Sequence, residues 1–157
     1  IRLTSDLVFH ENIENFGNWD GMSVEEWDSL WMFMPIGTMD VPFSGVFDGN
    51  GHTISQIYCN EYEYVGLFGV MDGATVKDLG LINGYFAGRQ VGSIAGYAAN
   101  SEIINCYNKG GTVCLIEYDN AGGIVGYADD GASYWLNTGV FDADPLSISI
   151  LVSILQK

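Results

Sequence analysis

Three aspartates are the residues of this sequence best placed for acid–base chemistry. Asp72 follows the stretch VGLFGVM, and Asp129 and Asp130 follow the similar stretch AGGIVGYA. A glycoside hydrolase needs two facing carboxylates, so an acidic cluster of these side chains would indicate hydrolysis of a polysaccharide. Aspartate beside glycine is also the ordinary composition of a turn, because its side chain bonds to the local backbone. From the residues alone, both interpretations stay open.

Other catalytic patterns are missing from the sequence. A polysaccharide lyase needs a basic residue to take a proton and acids to hold calcium. The basic residues share no groove in the register predicted below: Arg2, Lys77, Arg89, Lys109 and Lys157. Neither His10 nor His52 has an HExxH partner, and no GxSxG motif, P-loop or calcium-binding loop occurs. We therefore predict a protein that is not an enzyme and needs no cofactor; calcium is not indicated.

Four tyrosines are the candidate ligand-binding residues. Tyr97 and Tyr127 follow repeated glycines at equivalent positions, and Tyr58 and Tyr107 are predicted to share a second column. Aromatic columns on a flat face can stack on sugar rings or form a protein interface. Stacked tyrosines can equally serve only to stabilise the fold.

The composition describes one folded, acidic domain. The chain has 157 residues, of which 48% are hydrophobic and 16% charged, so we expect a folded chain rather than a disordered one. Its formal charge of −15 repels phosphate backbones and anionic headgroups, which excludes nucleic acid and membrane surfaces as expected partners. The longest apolar run is about half the length of a membrane-spanning helix, so no membrane insertion is predicted.

The cysteines and the first residue bear on the redox state and processing of the chain. Cys59, Cys106 and Cys114 are odd in number and lack CxxC spacing, so buried thiols are expected rather than disulfides or a zinc site. The sequence begins with Ile1 and shows no signal peptide, which leads us to expect a processed chain or a fragment of a longer one.

A glycine phrase recurs three times at wide spacing: VGLFG, VGSIAGY and AGGIVGY. Each phrase ends on or just after a marker glycine, and these are Gly69, Gly96 and Gly126, so the phrase returns at a nearly constant interval. Repeats of this length are typical of stacked arrays. The same register aligns further residue pairs: Val76 with Ile103, Leu79 with Cys106, Phe86 with Val113, Ile54 with Val76 and Ile57 with Leu79.

Each repeat holds short apolar stretches divided by Gly, Asn and Asp, which is typical of strands and turns. Stacking successive repeats about 4.8 Å apart would bury a continuous core. We therefore predict an all-β fold, a parallel β-helix (β-solenoid). The register places one set of side chains inward, namely Ile57, Cys59, Leu79, Leu81 and Cys106. It places another set outward, namely Tyr58, Gly80 and Tyr107.

The N-terminal third differs from the repeats and is predicted to form a cap. TSDLVFHENI is typical of a first strand, and Ser23 with Glu26 forms a capping-box pattern. Val24, Trp27 and Trp31 would form one face of a short N-terminal capping helix over the open end of the stack. The 157 residues then form a single β-helix domain, divided into an N-terminal strand and cap (1–34), the repeats (35–140) and a C-terminal tail or covering strand (141–157).

The glycine phrases and PIGTMDVPFSGVFDGNGHTISQIY resemble GLUG-motif proteins, from about Trp31 to Gly139. The resemblance implies right-handed β-helices of bacterial surface and secreted proteins, including adhesin-like proteins and non-catalytic parts of IgA-specific metalloendopeptidases. It implies a scaffold more than an activity.

The expected function is therefore a non-enzymatic structural or adhesive module, extracellular or on the bacterial cell surface, that presents a solenoid face to a glycan or protein. Two alternatives stay open: a carbohydrate-active lyase or hydrolase, and a non-catalytic spacer of a secreted metalloprotease.

The last residues carry one further prediction. DPLSISILVSIL combines high β-propensity with no charge between Pro145 and Leu155. Such a segment is expected to be covered, either as a final strand on the β-helix or by self-association with a second copy of the chain.

Overall fold

A computed structural model describes residues 1–129 and 133–135. The described chain is built almost entirely of short strands. They are β1 (Leu7–Val8), β2 (Val46–Asp48), β3 (Thr53–Ser55), β4 (Tyr58–Asn60), β5 (Tyr64–Val65), β6 (Phe68–Asp72), β7 (Thr75–Lys77), β8 (Gly80–Ile82), β9 (Tyr85–Gly92), β10 (Ala95–Ala99), β11 (Glu102–Ile104), β12 (Tyr107–Lys109), β13 (Thr112–Gly122), β14 (Val125–Ala128) and β15 (Ser133–Trp135). The helical elements are a 3-10 turn at Trp19–Gly21 and the helix α1 at Val24–Ser29. The predicted all-β class is confirmed.

All strand pairs of the described chain are parallel, and they form four sheets. Sheet I contains β2, β7, β11 and β15, and sheet II contains β1, β3, β8 and β12. Sheet III contains β4, β9 and β13 with β5 also paired to β9, and sheet IV contains β6, β10 and β14. From β2 onward the chain visits the sheets in the order I, II, III, IV and then returns to sheet I. We call one such pass a circuit.

The strand register follows the sequence repeat over most of the described chain. Val76 pairs with Ile103, and Phe86 pairs with Val113, as the repeat predicted. The interval lengthens between β10 and β14, because four residues, 116–119, lie opposite Arg89 in a bulge of β13. The three glycines of the repeated phrase therefore fall in one column despite their unequal spacing.

One predicted register is wrong. Ile54 pairs with Leu81 rather than Val76, and the partner of Val76 on that side is Phe47. The predicted alignment of Ile57 with Leu79 is wrong for the same reason, because the next residue, Tyr58, pairs with Tyr85. The turn between sheets I and II holds four residues, 49–52, in the first of these circuits and two, 78–79, in the next. The two extra residues do not cause the error, because the predicted alignment placed Ile54 and its partner only 22 residues apart. The 27-residue interval between Gly69 and Gly96 leads from Ile54 to Leu81, its observed partner.

Residues with left-handed backbone turn the chain between sheets II and III. Gln56, Asn83 and Gly110 occupy the same position in three successive circuits, and their φ angles are 57°, 51° and 67°. Gln56 and Asn83 each donate a backbone N–H to a carbonyl of the next circuit, those of Ile82 and Lys109. Asn and Gly tolerate this conformation best, so the turn residues and the strand pairing support the same repeat.

Apolar side chains fill the space between the four sheets. The fully buried large residues include the following: Ile57, Leu67, Phe68, Met71, Leu79, Leu81, Phe86, Ile94 and Ile103. Every side chain predicted to point inward is buried. Burial also raises the pKa of the Cys59 thiol to about 12 and that of the Cys106 thiol to about 11. Both are therefore core thiols, as predicted, whereas Cys114 is half-buried.

Residues 9–32 lie between β1 and the strand-like segment at Phe33, whose amide donates to the Tyr58 carbonyl. Ile13, Phe16 and Met22 form a small second core there with Leu30 and Tyr58. No residue of α1 is buried, and Trp31 lies beyond the end of the helix. The predicted apolar face of Val24, Trp27 and Trp31 is therefore wrong.

Among the described residues, neither helical element has the length and hydrophobicity that a membrane-spanning helix requires.

The capping box at the start of α1 is present. Ser23 Oγ accepts from the Glu26 amide, and the Glu26 carboxylate accepts from the Ser23 amide at 2.8 Å and the Asn15 amide at 3.0 Å. The Ser23 and Asn15 amides stabilise the charged carboxylate, so the pKa of Glu26 falls to about 2.

We expect the capping box to break only in strong acid. Because the folded pKa is depressed, the stabilisation is complete above the ordinary value of 4.5 and is lost as the pH falls through about 2. In an NMR titration, the Ser23 and Asn15 amide shifts should move together in that range. Glu26→Gln should remove this response, and Glu25→Gln should retain it. Amide shifts that move near the ordinary value would contradict the geometry.

Candidate functional site

Tyr97 and Tyr127 form an aromatic stack on sheet IV. They are register partners on β10 and β14, and their ring centroids lie 5.6 Å apart with planes 16° apart. Tyr64 meets Tyr97 edge-on at 6.0 Å. Parallel pairing places the same side chain of successive circuits about 4.8 Å apart, which is why these rings stack. The predicted column of Tyr97 and Tyr127 is therefore present in the structure.

The stack limits what these rings can bind. Tyr97 has one face against Tyr127, and the edge of Tyr64 lies against it as well. A sugar needs a free ring face for aromatic stacking, and most of the Tyr97 ring surface is already in contact with the other two tyrosines. The outward parts of the column are ring edges and hydroxyl groups, which suit hydrogen bonding to a partner.

A network of polar side chains surrounds the stack. The Tyr97 hydroxyl donates to Asp129 Oδ2 at 2.7 Å, and Asn100 Nδ2 donates to Asp72 Oδ1 at 2.9 Å. The bond to Asp129 is the main reason that the pKa of Tyr97 rises to about 12, with smaller contributions from burial and the negative charge of Asp129.

Tyr97 gives a testable pH dependence. Its pKa is raised in the folded state, so the bond to Asp129 stabilises the protein fully below the ordinary value of 10.0 and is lost as the pH rises through about 12. A ¹³C NMR titration of the tyrosine Cζ atoms should show one ring titrating near the raised value, and Tyr97→Phe should remove that signal. Asp129→Asn should bring the Tyr97 titration back toward the ordinary value. A Tyr97 that titrates normally in the wild-type chain would contradict the hydrogen bond.

The candidate aspartates lie near one another without facing as a pair. Asp72 pairs with Ala99, and the Asp129 amide donates to the carbonyl of Ala98, so the two acids lie on either side of β10. Two ladder steps put their backbones about 9.6 Å apart. Each carboxylate accepts a hydrogen bond from a different side chain. Asp130 lies outside the described residues.

The predicted column of Tyr58 and Tyr107 is wrong. Tyr58 lies on sheet III and stacks on Tyr85 at 5.3 Å, whereas Tyr107 lies on sheet II and pairs with Gly80. Gly80 lies on the outward side of its strand with the exposed Tyr107, as predicted, and it is buried because the Tyr107 ring covers it. The error follows from the incorrect register of Ile54, which displaced all assignments before the first glycine phrase.

Three residues of these clusters were not predicted: Tyr64, Tyr85 and Asn100. Tyr85 follows Tyr58 by one repeat interval, so the repeat spacing could have identified it. Tyr64 directly precedes the first glycine phrase, and Asn100 follows the second. The role of Tyr64 depends on the turn that brings sheets III and IV together, which no local sequence pattern indicates. Asn100 lies in the turn from sheet IV to sheet I and bonds to Asp72 at the end of the preceding strand of sheet IV.

Neither histidine forms part of this site. His10 is buried, with Nδ1 2.7 Å from the Gln56 carbonyl oxygen and its ring stacked on Phe16. His52 Nδ1 lies 3.3 Å from Asp6 Oδ1. Within residues 1–129 and 133–135, no group of three or more His, Cys, Asp or Glu side chains could hold a metal ion.

Comparison with curated proteins and with solved structures gives no match. Residues 87–113 match the family model described as the GLUG motif. This segment starts at Ala87 in β9, passes through β10, β11 and β12, and ends at Val113 in β13. Ala87 is the register partner of Cys114, the residue that follows the match. The matched segment is thus one circuit through the four sheets, and the chain carries a GLUG motif, as its glycine phrases indicated.

Proposed function

We propose that this chain is a right-handed parallel β-helix that serves as a non-enzymatic structural and adhesive module of a bacterial cell-surface or secreted protein. The observation that carries the proposal is the coincidence of the GLUG motif with one circuit. Because one motif corresponds to one circuit, each further copy of the motif would lengthen the stack by one circuit. The circuits before and after it keep the same sheet order, so the repeated unit extends beyond the matched segment.

The packing supports a scaffold role. Successive circuits approach so closely that glycine is required where they meet. A methyl group on Gly126 would lie 2.7 Å from the Gly96 carbonyl oxygen, and one on Gly66 would lie 2.7 Å from the Gly92 carbonyl oxygen. Close backbone contact with a continuous apolar core favours a stiff body that displays side chains at fixed intervals. Segment 9–32 packs against the side of this body, where His10 Nδ1 lies 2.7 Å from the Gln56 carbonyl oxygen.

The surface proposed to meet a glycan or protein partner is the tyrosine stack with its polar neighbours. Tyr127 is exposed, and Asn100 and Asp72 lie beside the stack with exposed side chains. Hydroxyl, amide and carboxylate groups in one strip can bond to sugar hydroxyls or to a polar protein surface. This face is the binding surface in the proposal because the repeat holds its groups in line.

A binding and turnover screen on the full chain tests the proposal. We expect binding to a glycan array or to extracellular matrix proteins without depolymerisation of pectin, alginate or glycosaminoglycan. Tyr127→Ala should reduce binding at least tenfold, whereas Tyr62→Ala, at an exposed tyrosine outside sheet IV, should leave it unchanged. Turnover of any polysaccharide that is lost in Asp72→Asn or Asp129→Asn would overturn the proposal in favour of a hydrolase.

A further inference from the structure

The segment that precedes the first circuit has an uncovered apolar edge. We call residues 31–41 the N-terminal rim. Six large apolar side chains of the rim are exposed: Trp31, Met32, Met34, Ile36, Met39 and Val41. Met34 and Met39 are the most open of its methionines, at 64% and 55% exposure. Exposed apolar side chains clustered in one segment are typical of an interaction surface.

The rim continues the layers of the core. Ile36 pairs with Phe68 and is 36% exposed, whereas Phe68 is fully buried. Gly37 lies beside Gly69, because Gly69 donates its amide to the Ile36 carbonyl. The rim therefore has the geometry of an inner layer and lacks the layer that would cover it.

The rim is nearly free of charge in a strongly acidic chain. No Asp, Glu, Lys or Arg occurs from Trp31 to Met39, and Asp40 is the one charged residue of the rim, although the formal charge of the chain is −15. Two copies that met through most other surfaces would bring carboxylates together. The rim is where two copies can meet with little of that repulsion.

We propose that the rim is the contact surface of a homodimer, in which the rims of two copies pack against each other. A two-fold contact uses the same patch on both copies, and flexible methionine side chains can adapt to their own image across the axis. Pro35 and Pro42 have no backbone N–H to offer a neighbouring strand. The contact therefore rests on side-chain packing rather than on strand addition.

The mass of the full chain in solution tests this proposal. Light scattering should show a concentration-dependent rise toward twice the 17.1 kDa of the chain. Raising the salt concentration should strengthen the dimer, because salt screens the repulsion between two acidic copies. Met34→Glu with Met39→Glu should weaken dimerisation at least tenfold. The control, Tyr62→Glu with Leu115→Glu, adds the same charge at exposed positions outside the rim and should leave the dimer intact.

A second measurement needs no variant. Hydrogen peroxide oxidises a thioether to a sulfoxide and releases water. Mass spectrometry measures the oxidation rate of Met34 and Met39, which should fall as the protein concentration rises. An added methionine-containing peptide serves as a control, because its oxidation rate reports the concentration of available peroxide. Buried Met71 should stay protected at every concentration.

Three results would overturn the proposal. The first is a single-chain mass at all concentrations. The second is a dimer that survives in Met34→Glu with Met39→Glu. The third is a dimer that is lost only in Ile148→Lys with Ile150→Lys, which would assign the contact to the C-terminal tail.

Discussion

Replacing Gly96 by alanine should cost about 2–4 kcal/mol of unfolding free energy. The methyl group would lie 2.7 Å from the Gln90 carbonyl oxygen, 2.7 Å from the Tyr64 carbonyl carbon and closer still to the Val65 amide nitrogen. All three are backbone atoms held in strand pairing, so no side chain can rotate to make room. Urea unfolding followed by circular dichroism measures the change.

Gly45→Ala is the matched control for this prediction. A methyl group on Gly45 would meet only the Phe43 ring, at 3.4 Å, which that side chain can accommodate. We expect Gly45→Ala to change the unfolding free energy by less than about 0.5 kcal/mol. Equal effects at the two glycines would show that the backbones of successive circuits are not in close contact at Gly96.

Replacing Phe68 by alanine should destabilise the chain by about 3–5 kcal/mol, because it leaves a cavity in a packed core. Phe68 is fully buried, stacks on Phe43 at 4.6 Å and meets Phe47 edge-on at 5.6 Å. The ring joins Phe43, in the segment before β2, to the core of the first circuit. We therefore expect lower thermal and urea midpoints with the sheet content retained at low temperature.

Tyr62→Ala controls for the loss of an aromatic ring. Tyr62 is 54% exposed and lies beneath the Arg89 guanidinium. Its removal should cost no more than about 1 kcal/mol. A loss at Phe68 as small as the loss at Tyr62 would contradict a continuous core between the circuits.

The repeat is the part of the fold that can be predicted well from the sequence. The glycine phrases align Gly69, Gly96 and Gly126 because a methyl group at these positions would strike the backbone of a neighbouring circuit. Ile103 and Val113 pair with the predicted partners because apolar side chains must stay on the inner side of each strand. The need for glycine at close backbone contacts and the need to bury apolar side chains thus recur at the same interval in the sequence.

The first circuits are harder to predict. The four-residue turn at 49–52 tolerates its two extra residues because it lies at the surface. The shifted register has a different origin, because Ile54 and Ile57 have the same spacing as Val76 and Leu79. This ambiguity placed Tyr58 and Tyr107 in one column, although they lie on different sheets.

The helix α1 shows which features local sequence can predict and which depend on tertiary packing. The capping box of Ser23 and Glu26 is a local motif, and the sequence predicts it correctly. Whether Trp27 and Trp31 are buried or exposed depends on where residues 9–32 pack, which no local pattern specifies. For the same reason, the exposed apolar side chains of the rim become visible only in the structure.

The stacking of circuits in parallel register is best tested by scalar couplings across hydrogen bonds. A long-range HNCO experiment links each amide to the carbonyl that accepts its hydrogen bond. We predict couplings from each circuit to the following one, from Gln56 to Ile82, from Asp78 to Ile104 and from Asn83 to Lys109. We also predict couplings back to the preceding circuit, from Glu102 to Ala74, from Tyr107 to Leu79 and from Thr112 to Gly84. Couplings that instead join strands adjacent in sequence, as in antiparallel hairpins, would contradict the account.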